Sequence, residues 1–429
     1  MITLIKEALA QVGIQIWSIE KKQEWDAELF FIRRRLDMHR MKQTCKYHVS
    51  VYCDFEKDGK PMRGVSQVTI VPSQTKAEIL DAVRGAYYAA SFVANPTYEL
   101  PDQQVCEPII QPGALADIPV EQAAMKMAEA IFSADCDPNA FLNSVEIFAV
   151  KTTTHLLTCK GTDVCYTKFG VNGEFVAQCK EPEDVEMHHT FSYDDLSCEA
   201  VKKKAETALL QVAHRSVARH ELPSGTYDLI LSGDEVAEVL SYYLSRTHVG
   251  MVFPGYSTWK VGADVQPADT IGERLELTLR ATAPYSSEGI PMANRVVIKN
   301  GKVVAYHGGA RLSSYLGVPP TGDYRAFSCE NGTVSLADMK KGPYLYPVSF
   351  SDFQMDEMSG HFGGEIRLAY YFDGKETHIV TGGSVNGSIN DCCGSMIFSK
   401  ERYDSERYKG PFAMRLPGVR VAGTVPSAE

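Results

Sequence analysis

Residues 228–246, DLILSGDEVAEVLSYYLSR, constrain the fold more than any other stretch. Leu229, Ile230 and Leu231 form an apolar run that reads as a short buried strand, and Ser232-Gly233-Asp234 breaks it. Val236, Val239, Leu240, Tyr243 and Leu244 then recur at helical spacing, so a helix with one apolar face follows directly. Ser232 or Asp234 is expected to cap its first turn, and Glu235 suits the positive end of its dipole. A zinc peptidase would use such a helix to hold two histidines one turn apart with a glutamate beside the first. This helix has none of the three at the positions that matter.

Before it, the chain alternates between helices and strands. Residues 1–12 read as a helix, and residues 14–71 as strands with a hairpin turn at Asp58-Gly59-Lys60. Pro72-Ser73-Gln74-Thr75 caps a helix from Lys76 to about Phe92, which Asn95-Pro96 stops. A Pro-rich linker is expected near 95–118, then a helix from Pro119 to about Ser133. The strands that follow are predicted at Val145–Lys151, Val164–Asn172 and Glu174–Lys180, with Asn172-Gly173 as a hairpin turn, and at Val185–Tyr193. A long helix runs from Cys198 to about Arg215, and Pro223-Ser224-Gly225 marks a boundary. From residue 247 onward the pattern is almost wholly β, with frequent glycines and turn signals at Asn300-Gly301 and Asp373-Gly374. The expected class is α+β: an N-terminal α/β domain with an antiparallel sheet at 1–222 and a mostly antiparallel β domain at 223–429.

The 429 residues are too many for one ordinary core. No apolar run reaches membrane-spanning length, and the N-terminal stretch, carrying Lys6 and Glu7, reads as an amphipathic helix rather than a signal peptide. The net charge of −11 argues against a nucleic-acid binder, whose phosphate contacts need clustered Lys and Arg. The one basic cluster, Arg33-Arg34-Arg35, falls in a strand-like segment and reads as a solvated face. Eleven cysteines without a CxxC pair predict reduced, mostly buried thiols and a cytoplasmic chain. Cys392-Cys393 lack a neighbouring base and read as buried thiols rather than nucleophiles. His220-Glu221 runs into Leu222-Pro223, which ends any helix before a second ligand, and His188-His189 on a strand point to opposite faces.

The order of these pieces resembles the TldD/PmbA family of metallopeptidases, once called modulators of DNA gyrase. The likeness is carried by Ser287-Glu288-Gly289-Ile290-Pro291, by Asn300-Gly301 and the strand after it, by Ser313–Gly322, by Thr381–Gly387 and by Pro417–Thr424. In the catalytic TldD branch the helix after the Leu-rich strand bears HExxxH. Laying that strand on Leu229–Leu231 puts the degenerate motif at Ser241, Tyr242 and Arg246, in place of His, Glu and His. No HExxxH occurs anywhere in the chain, and residues 399–411, where the branch's further cysteine ligand would fall, contain no Cys.

The resemblance therefore implies the non-catalytic PmbA/TldE branch: no catalytic residue and no metal ligand in this chain, zinc in a TldD-like partner, and a peptide bound in the cleft of a two-chain assembly. A homodimer is the fallback. His248, Glu288 and His361 are candidate cleft residues, and Tyr243, Tyr256 and Trp259 are expected to pack around Tyr242 in the space of the lost site. Two alternatives stand beside this: an independent peptidase whose metal site has moved to groups such as His248, His361 and Glu288, and a regulatory protein that binds DNA gyrase or another protein.

Overall fold

The computed structural model describes residues 1–426; the last three residues of the expected 223–429 half lie outside them. The class is α+β, with three sheets. The first is eight-stranded and built from residues before 194. Its centre is formed by Ile16–Ile32, Arg35–Lys57, Ala140–Thr158 and Asp163–Cys179, each antiparallel to its neighbour. Val120–Ser133 and Cys198–Arg215 pack on one part of it and Ile2–Val12 and Lys76–Ala90 on another, each pair with its own apolar core. Ile19 in one core and Leu29 in the other are an even number of residues apart on one strand, so both cores lie on the same face. Leu368, from the C-terminal half, belongs to the first of these cores.

The local chemistry of several elements is as expected. Asp58 (φ 50°) and Gly59 (φ 70°) make the two-residue turn between Arg35–Lys57 and Lys60–Ile70, and Asn300 and Gly301 make the same turn further on. Thr75 and Glu78 form a reciprocal capping box on Lys76–Ala90.

Two expectations fail. Asn172-Gly173 is no turn: Asp163–Cys179 is one continuous strand, with Asn172 opposite Phe148 and Gly173 opposite Ile147. Gly173 is there for space, because a Cβ would lie 2.1 Å from the Glu146 carbonyl oxygen and 2.7 Å from the Phe191 ring. Arg33-Arg34 is not strand but the tip of a hairpin, Arg33 taking φ 56°, with the Arg34 guanidinium donating to the Phe132 carbonyl. The 95–118 segment is largely irregular and exposed, and it is strapped to the sheet at two points. Asn95–Pro96 pairs with Lys60–Ile70, Ile109–Ile110 pairs in parallel with Asp163–Cys179, and Tyr98 and Leu115 are buried.

The C-terminal half holds the other two sheets, interrupted by short helices such as Ala310–Leu316 and Ile389–Cys392 that an all-β reading misses. A six-stranded sheet centres on Leu277–Arg280 and Ala326–Cys329. In the seven-stranded sheet the pairing closes on itself. Tyr344–Met355 pairs with Gly225–Ser232, that strand with Ala413–Ala422, then Ser384–Ser388, then His361–Phe372, which pairs back to Tyr344–Met355. The Asp234–Thr247 helix packs into the core shared by these two sheets. Among the described residues no helix is long and apolar enough to cross a membrane.

Candidate functional site at the 234–247 helix

Leu229, Ile230 and Leu231 are completely buried, as a central strand requires. The chain leaves that strand through Gly233, whose φ of 65° and ψ of −123° favour glycine. Neither Ser232 nor Asp234 caps the helix: the Ser232 hydroxyl accepts from Tyr346 Oη at 3.0 Å, and Asp234 accepts from Tyr403 Oη at 2.8 Å.

Glu235 does not profit from the dipole as expected, because burial outweighs it and pushes its carboxyl up to about 7. Folding thus favours its neutral form. The stability this group lends is intact below about pH 4.5 and lost as pH rises toward 7. Glu235→Gln cannot ionise, so it is expected to gain about 2 kcal/mol on the parent chain between pH 5 and pH 7. Urea unfolding of both at the two pH values measures this; a constant difference would mean that ionisation of Glu235 does not oppose folding.

The helix is buried nearly all round, including Ser241, Tyr242, Tyr243, Arg246 and Thr247. Ser241 spends its hydroxyl on the Glu238 carbonyl of its own helix, at 2.7 Å. Tyr242 donates to Asn390 Oδ1 at 3.3 Å, and the Asn390 amide donates to the Ser359 carbonyl at 2.9 Å. Arg246 Nη1 donates to the carbonyls of Tyr256 (2.6 Å) and Met358 (3.3 Å). Its guanidinium lies 5.9 Å from the Tyr242 ring centre and 5.6 Å from that of Trp259. Tyr242, Tyr243 and Trp259 pack against one another within 6 Å, while Tyr256 stays largely exposed.

These residues do not fit a zinc ion. A hydroxyl turned into its helix, a phenol and a permanently charged guanidinium replace two imidazoles and a carboxylate, and the guanidinium would repel the cation. Among the described residues no group of three His, Cys, Asp or Glu side chains is arranged to hold a metal elsewhere.

The remaining candidates separate. His361 is exposed, and its turn, residues 356–361, reaches the helix through Met358 and Ser359. His248 and Glu288 sit apart from it, beside the backbone of Gly308 and Gly309. His248 Nε2 is 3.2 Å from Asp323 Oδ1, its Nδ1 accepts from the Gly250 N–H, and Glu288 accepts from the Ala310 N–H at 2.8 Å. Burial raises the Glu288 carboxyl. His307, not singled out from sequence, stacks edge-on against His248 at 5.0 Å. It donates from Nε2 to the Leu244 carbonyl, and burial depresses it to about 4, so it is neutral in the folded chain. Cys392 and Cys393 are buried, and the Cys392 thiol is pushed up to about 12, which leaves no thiolate for catalysis. His188 faces solvent beside Glu174, and His189 stacks on Phe175, on the opposite side of the strand.

Residues 224–425 match the family described as the PmbA/TldA metallopeptidase C-terminal domain. Over those residues the chain belongs to the TldD/PmbA family. Solved structures share its fold over nearly the whole length. TldE from Thermococcus kodakarensis is 16% identical with a TM-score of 0.77, covering 99% of this TldD/PmbA-family chain and 100% of that one. A candidate modulator of a DNA gyrase from Thermotoga maritima is 15% identical with a TM-score of 0.77, covering 98% and 99% of the two chains. A candidate DNA gyrase modulator from Bacteroides thetaiotaomicron is 14% identical with a TM-score of 0.75, covering 98% of each. At these identities the likeness is one of fold. No curated protein matches this family member in sequence.

Proposed function

We propose that this protein is a non-catalytic subunit of the TldE-like kind: it binds peptides, and hydrolysis belongs to a zinc-bearing TldD-like partner. The observation that carries the reading is Arg246. A buried guanidinium, fixed by two backbone carbonyls and flanked by two aromatic rings, stands on the helix that the resemblance assigns to the metal. A guanidinium held there supports peptide binding without hydrolysis, since neither a Lewis acid nor a general base is available at that position.

The test is to purify the chain alone and together with a TldD-like protein that carries HExxxH, and to assay both for cleavage of a mixed peptide substrate with added zinc. The expected result is no metal-dependent cleavage by the chain alone, and cleavage together with a stable complex when the two are combined. Hydrolysis by the chain alone that a chelator abolishes would overturn the proposal and favour an independent peptidase.

A further inference from the structure

Among the described residues two arginines are buried, each 9% exposed, and they differ in one respect. Arg63 uses Nε and Nη2 as a fork on Asp54, at 2.7 Å to each carboxylate oxygen. In Arg246 those same two nitrogens make no hydrogen bond within the protein. Nη1 alone is engaged, with two carbonyls, and Nε is sealed from solvent without a partner. No carboxylate among the described residues comes within ion-pairing distance of Arg246. The acid of the adjoining turn, Asp356, is committed to the Ser359 hydroxyl and the Met358 N–H. A buried charge without a counter-ion is costly, and a planar fork with both tines free matches a carboxylate in shape and charge. The two residues whose carbonyls hold Nη1, Tyr256 and Met358, carry side chains that are 57% and 49% exposed.

We infer that Arg246 is a receptor for a carboxylate of the bound peptide, which pairs with Nη2 and Nε once the exposed Tyr256 and Met358 side chains give way, while the residue next to the carboxylate lies against them. The inference rests on the peptide-binding reading above and adds the chemistry of what is recognised. The carboxylate can come from the peptide's C-terminus or from an Asp or Glu side chain, and the test separates the two.

Three random hexapeptide pools serve as probes for the full chain in equilibrium dialysis, with retained peptides identified by mass spectrometry. One lacks Asp and Glu and has a free C-terminus, the second is the same pool amidated, and the third is amidated but contains Glu. Retention of the first or third at least about tenfold above the second is expected, the favoured pool naming the source. Arg246→Gln is expected to abolish the difference, and Arg246→Lys, which keeps the charge without the fork, to restore part of it. Circular dichroism establishes that each variant is folded. Equal retention of all three pools, no retention of any, or an unchanged preference in a folded Arg246→Gln would overturn the inference. None of these readouts uses hydrolysis. A chain that cleaves peptides unaided overturns the subunit reading while leaving the carboxylate preference measurable; an active two-chain complex without the preference removes only this inference.

Discussion

Alanine at position 173 is expected to destabilise the chain by about 3 kcal/mol, far more than an ordinary glycine-to-alanine change in a strand. Gly173 sits between two neighbours of its own sheet, opposite Ile147 on one side and Phe191 on the other. A methyl group there would stand 2.1 Å from the carbonyl oxygen of Glu146, an atom of the ladder that cannot move without breaking pairing. Phe191, 2.7 Å from the same methyl, is buried in the core shared with Phe175 and cannot swing outward. Gly59→Ala provides the control. It has φ +70° and nothing within 4 Å of an added methyl, so only the left-handed backbone opposes the change, at about 1 kcal/mol. Urea unfolding of the two variants decides the matter. If Gly173→Ala costs no more than Gly59→Ala, the strand does not run through residues 172–173 as described.

The second large effect is expected on the 234–247 helix, where two nearby positions should respond to very different extents. Tyr243→Ala removes a side chain 1% exposed that packs between Trp259 and the Cys392-Cys393 segment, and should cost about 4 kcal/mol through the cavity left behind. Ser241→Ala, two residues earlier, removes a hydroxyl that serves only the carbonyl three residues before it, and should change stability by no more than about 0.5 kcal/mol. A costly Ser241→Ala would mean that this hydroxyl has a partner outside its own helix.

Elements governed by local rules were legible in the sequence. The Asp58-Gly59 and Asn300-Gly301 turns follow from the left-handed tolerance of those residues, the Thr75 cap from a box of four residues, and the 234–247 helix from its apolar period. Asn172-Gly173 carries the same two-residue signal and means something else. The glycine is selected by a carbonyl and a ring on strands far away in sequence, which no local window contains. The candidate site divides in the same way. Ser241, Tyr242 and Arg246 could be placed on one helix from the spacing alone, but the partners that define their state, Tyr256, Trp259, Met358 and Asn390, arrive from loops and from the one-turn helix at 389–392, none of them long enough to show a period. Glu235 looked favourable from its place in the first turn, yet its burial is decided by elements it meets only in three dimensions.

The closed circuit of strands in the C-terminal half has a consequence for how the protein is made. Gly225–Ser232, the first strand of that half, lies between Tyr344–Met355 and Ala413–Ala422, both of which follow it by more than a hundred residues. During synthesis this strand emerges early and must wait, both edges unpaired until residues 344–355 appear and one edge unpaired until residues 413–422 have left the ribosome. Over that interval an apolar Leu-Ile-Leu ribbon is open to aggregation. Translation that halts before residue 413 would therefore yield not a slightly shortened protein but one whose second half has no closed sheet to form.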